Sequence, residues 1–273
     1  MMRLSDAFLD QPIAHRGLHD PSVQRAENSR AAISAAINRG YGIEIDLQLS
    51  SDGHAMVFHD YELDRATDQS GFTNLKSATE LGNVVLHNSG GETIPSLVEI
   101  LAQIDGQVPL LIELKDQDGQ MGPRVGRLER STAQALLGYL GPVAVMSFNP
   151  HSVLQMASLA PDVPRGLTSG GYRVQDWPYL PKGTRDRLRC IPDYDPTKSC
   201  FISHSAEDLN RSRVTDLKAR GAGVLCWTIT SEKAAAKARK IADNVTFEGY
   251  YPQLILDPEG ARATSVKNCR VPR

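Results

Sequence analysis

Short apolar runs recur along the chain, separated by stretches with helical character. The runs are PIAH (12–15), GIEIDLQL (42–49), VPLLIEL (108–114), PVAVMSF (142–148), VPRGLT (163–168), CFISH (200–204), GVLCWTI (223–229) and NVTF (244–247). Their length and β-branched content predict strands. ENSRAAISAAINRG (27–40) predicts a helix that ends on a glycine at its C′ position. PSLVEILAQI (95–104) opens on a proline, as first helical turns often do. NPHSVLQMASLAP (149–161) offers Asn149 and Pro150 as cap and first position, with Pro161 as a stop. RSRVTDLKARG (211–221) and TSEKAAAKARKIAD (230–243) complete the helical set. About eight strand–helix alternations predict parallel strands joined by helices, and eight such units close into a (β/α)8 TIM barrel. The rival is an open doubly wound sheet, but no early GxGxxG supports it.

Two regions depart from the alternation. After the second strand, SSDGHAMVFHD holds a DG turn and then alternating residues, which predicts a short added β element. From 61 to 92 the chain is polar and glycine-rich, which predicts a small insertion in an otherwise single domain spanning 1–273. Residues 170–199, rich in Pro, Arg and Asp, read as a long loop near one barrel end.

Composition narrows the function. At 273 residues, 41% apolar, with a net charge of −2, the chain has ample core and no basic field to draw nucleic acid or anionic lipid. An anionic ligand must be met by local cations or a metal. Cys190, Cys200, Cys226 and Cys269 lack metal-type spacing and suit a reducing compartment. The N-terminus has no apolar signal core, and no run approaches the roughly 20 apolar residues of a membrane span. The expectation is a cytoplasmic protein with no membrane span.

The chemistry concentrates at strand ends. In the second strand Glu44 and Asp46 share one face within a run that reads as buried on both faces. Buried carboxylates are costly unless paired or bound to a metal. In a barrel that face meets the interior near the catalytic rim. LIELK adds Glu113 there, with Lys115 two residues on. Three carboxylates at one rim repel unless a cation sits among them, and all-oxygen ligation suits Mg²⁺ or Ca²⁺. His15 and Arg16 end the first strand, and His59 ends the added element. Arg16 and Lys115 complement a phosphate. His15 and His59 suit proton transfer near neutral pH. Together these describe phosphodiester cleavage. Trp227 is a candidate for the substrate wall. Phe148 reads more as packing, and Asn28 as a helix cap. His19, His54, His87, His151 and His204 have no supporting constellation.

These residues also carry a resemblance. HRG (15–17), EN (27–28), EIDLQLSSDGHAMVFHD (44–60), LDRAT (63–67), IPSLVEIL (94–101), ELK (113–115) and WTI (227–229) resemble the glycerophosphodiester phosphodiesterase family, over roughly 12–255. The resemblance implies a TIM barrel, a divalent cation and hydrolysis of glycerophosphodiesters to glycerol 3-phosphate and an alcohol. Carried over by position, it implies Glu44, Asp46 and Glu113 as metal ligands, His15 and His59 as catalytic histidines, and Arg16 and Lys115 as phosphate contacts. Attack by the glycerol hydroxyl through a cyclic phosphate and direct attack by water both stay open. The chain departs from the family at Ala26, where proline is usual, at Ala66 in RAT, and at FEGYYP (247–252), where a TDYP-like segment is usual. These changes bear on the pocket for the alcohol. Two alternatives stand beside this reading: a phospholipase D-like hydrolase of lysophospholipids or sphingomyelin on the same barrel, and a non-catalytic binder of phosphate metabolites.

Overall fold

The computed structural model describes residues 2–254. A short helix α1 (Ala7–Asp10) precedes β1 (Ile13–Ala14), and α2 (Arg30–Arg39) leads into the long strand β2 (Gly42–Leu49). A tight turn through Gly53, at φ +94°, returns the chain as β3 (Ala55–Val57), antiparallel to β2. Helices α3 (Ala78–Leu81) and α4 (Leu97–Ile104) follow. The chain then alternates through β4 (Leu110–Leu114), α5 (Arg127–Ala135), β5 (Val143–Ser147), α6 (Pro150–Leu159), β6 (Arg165–Ser169), α7 (Lys182–Arg189), β7 (Phe201–Ser205), α8 (Ser212–Ala219), β8 (Gly223–Ile229), α9 (Glu232–Ala238) and β9 (Asn244–Phe247). All strands but β3 pair in parallel, and β1 bonds both β2 and β9. The sheet therefore closes into an eight-stranded barrel wrapped by helices, the (β/α)8 architecture that the alternation predicts.

Period-two alternation splits the strand residues between two cores. Ile43, Ile45, Leu47, Leu110, Ile112 and Val145 point outward and pack under the helices. Ile13, Leu111, Ala144, Met146, Phe201 and Leu225 fill the lower barrel interior, and Leu4 and Phe8 plug it from below. Asn244 fixes that plug by donating to the carbonyls of Phe8 (2.7 Å) and Gln11 (2.6 Å). Gly166 on β6 leaves room for the Phe201 ring, since a Cβ there would lie 2.5 Å from it. The interior is thus apolar below, and Glu44, Asp46 and Glu113 occupy its upper part. Parallel pairing of β2 with β4 puts Asp46 directly opposite Glu113.

Several local readings need correction. Pro95 precedes α4 rather than opening it: Ser96 is the cap, and Ser96 and Glu99 bond each other's backbone in a capping box. The 170–199 segment is not all loop, because it contains α7, whose charged surface buries only Leu188. Helix α5 gives little apolar signal; it is anchored partly by buried Glu129, which accepts a hydrogen bond from Ser152. The 61–92 segment folds over a small core of its own, in which Leu63, Leu81, Val84 and Leu86 pack with Met56, Phe58 and Ile94. Cys269 lies outside the described residues; Cys190, Cys200 and Cys226 are free thiols.

Candidate active site

His15 and Arg16 stand where β1 leaves the barrel. The chain turns sharply here, with Arg16 at φ 54° and Gly17 at φ 75°. Gly17 is required for space as well, because a Cβ would meet that of Ala32 at 2.9 Å. The turn aims the Arg16 backbone N–H at Glu44 Oε2, 3.0 Å away. It also brings His15 Nε2 to 4.0 Å from the same oxygen. The other ring nitrogen, Nδ1, lies 2.7 Å from Glu248 Oε2 just past β9. Burial is the largest influence on His15 and pushes its pKa below the ordinary value, against the hydrogen bond to Glu248. That same bond, first among its causes, holds Glu248 well below the usual carboxylate range. His19 Nε2 comes within 3.7 Å of Glu248 Oε2.

Glu44, Asp46 and Glu113 are buried, each at most 6% exposed. Each offers a carboxylate oxygen, and these oxygens all lie within 4.8 Å of one another. Lys115 Nζ reaches between two of them, 2.7 Å from Asp46 Oδ1 and 2.6 Å from Glu113 Oε1. Arg16 Nε is 3.3 Å from Asp46 Oδ2. Asn28, held at φ 55°, grips Asp46 twice: its amide donates to Oδ2 at 3.0 Å, and its carbonyl accepts from the Asp46 backbone at 3.3 Å. Ser29, not Asn28, caps α2. Burial opposes ionisation of Asp46, but Lys115 and the neighbouring cations outweigh it and hold the carboxyl far below its usual range. Glu44 goes the other way: burial, then the charges of Asp46 and Glu113, push its pKa well up.

This donor set fits a divalent cation. Three carboxylates face Lys115 and Arg16, so one negative charge among these five groups is left over. Glu44 carries that misfit in its raised pKa, and a cation would relieve it. The donors are all oxygen, and their spacing is one that a single hard ion with bonds of about 2.0–2.6 Å can span.

His59 ends the β3 hairpin, and the Gln48 amide fixes its carbonyl at 3.0 Å. Its Nδ1 lies 2.6 Å from Asp60 Oδ1. Burial alone would raise the Asp60 pKa, but the bonds from His59 and Arg65 bring it down to about 2. His59, Glu113, Lys115, Phe148 and Trp227 line one cleft of about 1590 Å³. Phe148 stands against Trp227 and Trp177, with ring centroids 5.6 and 5.0 Å apart, and forms part of the cleft wall. Trp227 is anchored by its Nε1, which donates to the Ser203 carbonyl at 2.9 Å. The eight candidates named from sequence thus gather at the C-terminal rim. Sequence reasoning missed Glu27, Asn28, Asp60, Arg65 and Glu248 as partners within the site. The motifs EN, HD, LDRAT and FEGYYP contain them but do not say what each one touches.

Buried carboxylates that could hold a metal ion stand beside histidines and cations at the C-terminal rim of a (β/α)8 barrel, the end where such barrels carry their active sites. The comparisons with known proteins agree. The glycerophosphoryl diester phosphodiesterase family model matches residues 15–245, and the chain belongs to that enzyme family. The chain is 28% identical to YhdW of Bacillus subtilis over 253 residues, covering 89% of this chain and 96% of the relative. It is 32% identical over 173 residues to the glycerophosphodiester phosphodiesterase of Caldanaerobacter subterraneus subsp. tengcongensis, covering 60% and 69% of the two chains. Among solved structures, a phosphodiesterase of Oleispira antarctica in complex with the product sn-glycerol-3-phosphate superposes with a TM-score of 0.72. The two are 27% identical, with 89% of this chain and 94% of that one covered.

Proposed function

We propose that this protein hydrolyses glycerophosphodiesters to glycerol 3-phosphate and an alcohol, with a divalent cation at Glu44, Asp46 and Glu113. One observation carries the reading: those buried carboxylates converge within 4.8 Å, beside His15 and at the head of the cleft that His59 lines. The product held by the Oleispira antarctica relative supports glycerol 3-phosphate as the product here. Bound at these residues, Mg²⁺ or Ca²⁺ supplies Lewis acidity toward a phosphoryl oxygen.

The chain's own groups supply the rest. Arg16 and Lys115 offset charge growing on the phosphoryl oxygens. His15 and His59 each direct Nδ1 at a carboxylate, so that proton is committed and Nε2 is left for substrate. One ring accepts the proton of the attacking oxygen and the other protonates the leaving alcohol. Trp227 and Phe148 form the wall against which the organic part of the substrate rests. The chain is read as one barrel domain, with 61–92 as its insertion. Its free thiols fit a reducing, cytoplasmic setting, and no helix among the described residues is long and apolar enough to cross a membrane.

A second substrate class is favoured by the size of the cleft. At about 1590 Å³ it exceeds the roughly 300–1,000 Å³ of ordinary small-molecule sites. Phe72 and Leu75 at its edge are exposed. Lysophospholipids therefore belong in the test. Purified protein is incubated with short glycerophosphodiesters and lysophospholipids, with Mg²⁺, Ca²⁺ or chelator, and products are identified by mass. Glycerol 3-phosphate from the short diesters supports the first reading. Turnover of long-chain lipids alone replaces it with the second, and binding without turnover replaces both.

A further inference from the structure

We propose that Arg65 is a positioning residue for His59 and Arg16 together, and that presenting Arg65 is what the 61–92 segment does for the site. The inference rests on the acid–base and phosphate roles assigned above to His59 and Arg16.

The geometry is a chain of charge-assisted hydrogen bonds. Arg65 donates from Nε to Asp60 Oδ2. It also donates from Nη1 to Glu27 Oε2, at 3.2 Å, and from Nη2 to Glu27 Oε1. Glu27 Oε1 accepts as well from Arg16 Nη1, at 3.0 Å. The other oxygen of Asp60 holds His59 Nδ1. One planar guanidinium thus joins the carboxylate behind the phosphate-facing arginine to the carboxylate behind the histidine. Only a forked donor does this, because a lysine ammonium lacks the fixed pair of parallel N–H vectors. An ionised carboxylate only accepts, so the bond to Asp60 puts the proton of a neutral His59 ring on Nδ1.

Arg65 is held by its backbone rather than by its own packing. Leu63 is fully buried in the small core of the insertion. Its N–H donates to the Gly71 carbonyl, and its carbonyl accepts from Thr67 N, both at 3.0 Å. His87 N donates to the Ala66 carbonyl at 2.8 Å. The residues around Arg65 are therefore pinned, while its side chain stays 52% exposed. Its partners Glu27 and Asp60, 22% and 21% exposed, keep Arg16 and His59 as partners when the guanidinium is lost. Removing the guanidinium should show in ring placement and rate, not in melting.

The test compares the full-length, metal-loaded protein with its Arg65→Ala and Arg65→Lys variants. Nitrogen-15 NMR of the imidazoles, with the His59 signal assigned by its loss in His59→Gln, reads the tautomer directly. The wild type should show a single Nδ1–H tautomer, and Arg65→Ala a mixture. On a short glycerophosphodiester, Arg65→Ala should lower kcat about 10- to 100-fold, the range typical of lost outer partners of a site, and Arg65→Lys should restore part of it. Melting temperatures should stay together. Arg65→Ala combined with Asp60→Asn should cost no more than the worse single variant, because both break one chain. An unchanged tautomer in Arg65→Ala overturns the inference, as do additive losses in the double variant or full rescue by lysine. A wild type without diesterase activity overturns the functional reading, and the tautomer measurement then decides the role of Arg65 independently.

Discussion

His15 and Glu248 are 233 positions apart in sequence, yet His15 Nδ1 stands 2.7 Å from Glu248 Oε2. Barrel closure makes this pair, since β1 and β9 are sheet neighbours and His15 N bonds the Phe247 carbonyl at 2.9 Å. Glu248 therefore orients the ring that lies beside Glu44. Glu248→Ala should lower kcat about tenfold or more, short of the ~10²–10⁴-fold contribution of a positioned acid–base group itself. Glu248→Gln, which keeps an accepting oxygen, should lose less. Steady-state kinetics of both variants check this, and equal, wild-type kcat values would show that the His15 ring needs no partner.

The histidines themselves make a sharper demand. His15→Ala and His59→Ala should each slow turnover of an alkyl diester by ~10²–10⁴-fold with the fold intact. A p-nitrophenolate leaving group needs little protonation. The histidine acting as acid should lose less activity on the nitrophenyl ester than on the alkyl ester, and the other should lose similar activity on both. Near-normal rates in both variants would remove them from the chemistry.

The acid cluster should respond to metal. Glu44 is the carboxylate whose charge is least tolerated without a cation. In chelator, Glu44→Gln should melt at or above the wild-type temperature, because a repelling charge is gone at similar volume. Cation at a hundredfold excess over Kd should stabilise the wild type by about 2.7 kcal/mol, and the variant by clearly less. Thermal melts with and without cation test both statements. An equal metal response in the two proteins would take Glu44 out of the ligand set.

Gly166→Ala should destabilise the barrel without touching the acids. The new methyl would sit 2.5 Å from the fully buried Phe201 ring. Overpacking of this kind costs about 1–3 kcal/mol, measurable by denaturant titration. A stability equal to the wild type would mean that Phe201 can shift within the lower interior.

His204 should make stability pH-dependent. It is fully buried on the outer side of β7, with Nδ1 2.8 Å from Ser169 Oγ and Nε2 3.2 Å from the Asp208 carbonyl. Burial, the largest influence, lowers its pKa below 6.5. As pH falls through 6.5, the unfolded chain takes a proton that the native state refuses, so stability drops until the lower native pKa is passed. His204→Gln loses native hydrogen bonds and should be less stable near neutrality, but the gap to wild type should narrow as pH falls below 6.5. Denaturation midpoints across this range check the sign; a gap that widens on acidification would contradict it.

Local pattern carried a large part of the fold. The strands 42–49, 223–229 and 244–247 have the bounds read from their apolar runs, because period-two alternation and β-branched content are properties of consecutive residues. Helices α5 and α7 escaped. Each shows the core only a few residues and is otherwise mostly polar or charged, so although its apolar positions share one face there are too few of them to mark a helix. Asn28 was legible as a helix cap because Asn is a good one; Ser29 takes that role, and only the fold reveals Asp46 above Asn28.

The sequence by itself determined the alternation that becomes a barrel, and the placement of two acids on one face of a doubly buried strand. It also determined that Glu113, Lys115, His15, Arg16 and His59 lie at strand ends, where a barrel collects its chemistry. Tertiary structure decided the partnerships: Glu248 behind His15, Asn28 on Asp46, Lys115 between Asp46 and Glu113, and Arg65 joining Glu27 to Asp60. The reason is physical. Periodicity assigns a residue to a face, but which charge stands within 3 Å of which depends on barrel closure and strand register, and on where burial removes the water that would otherwise screen them.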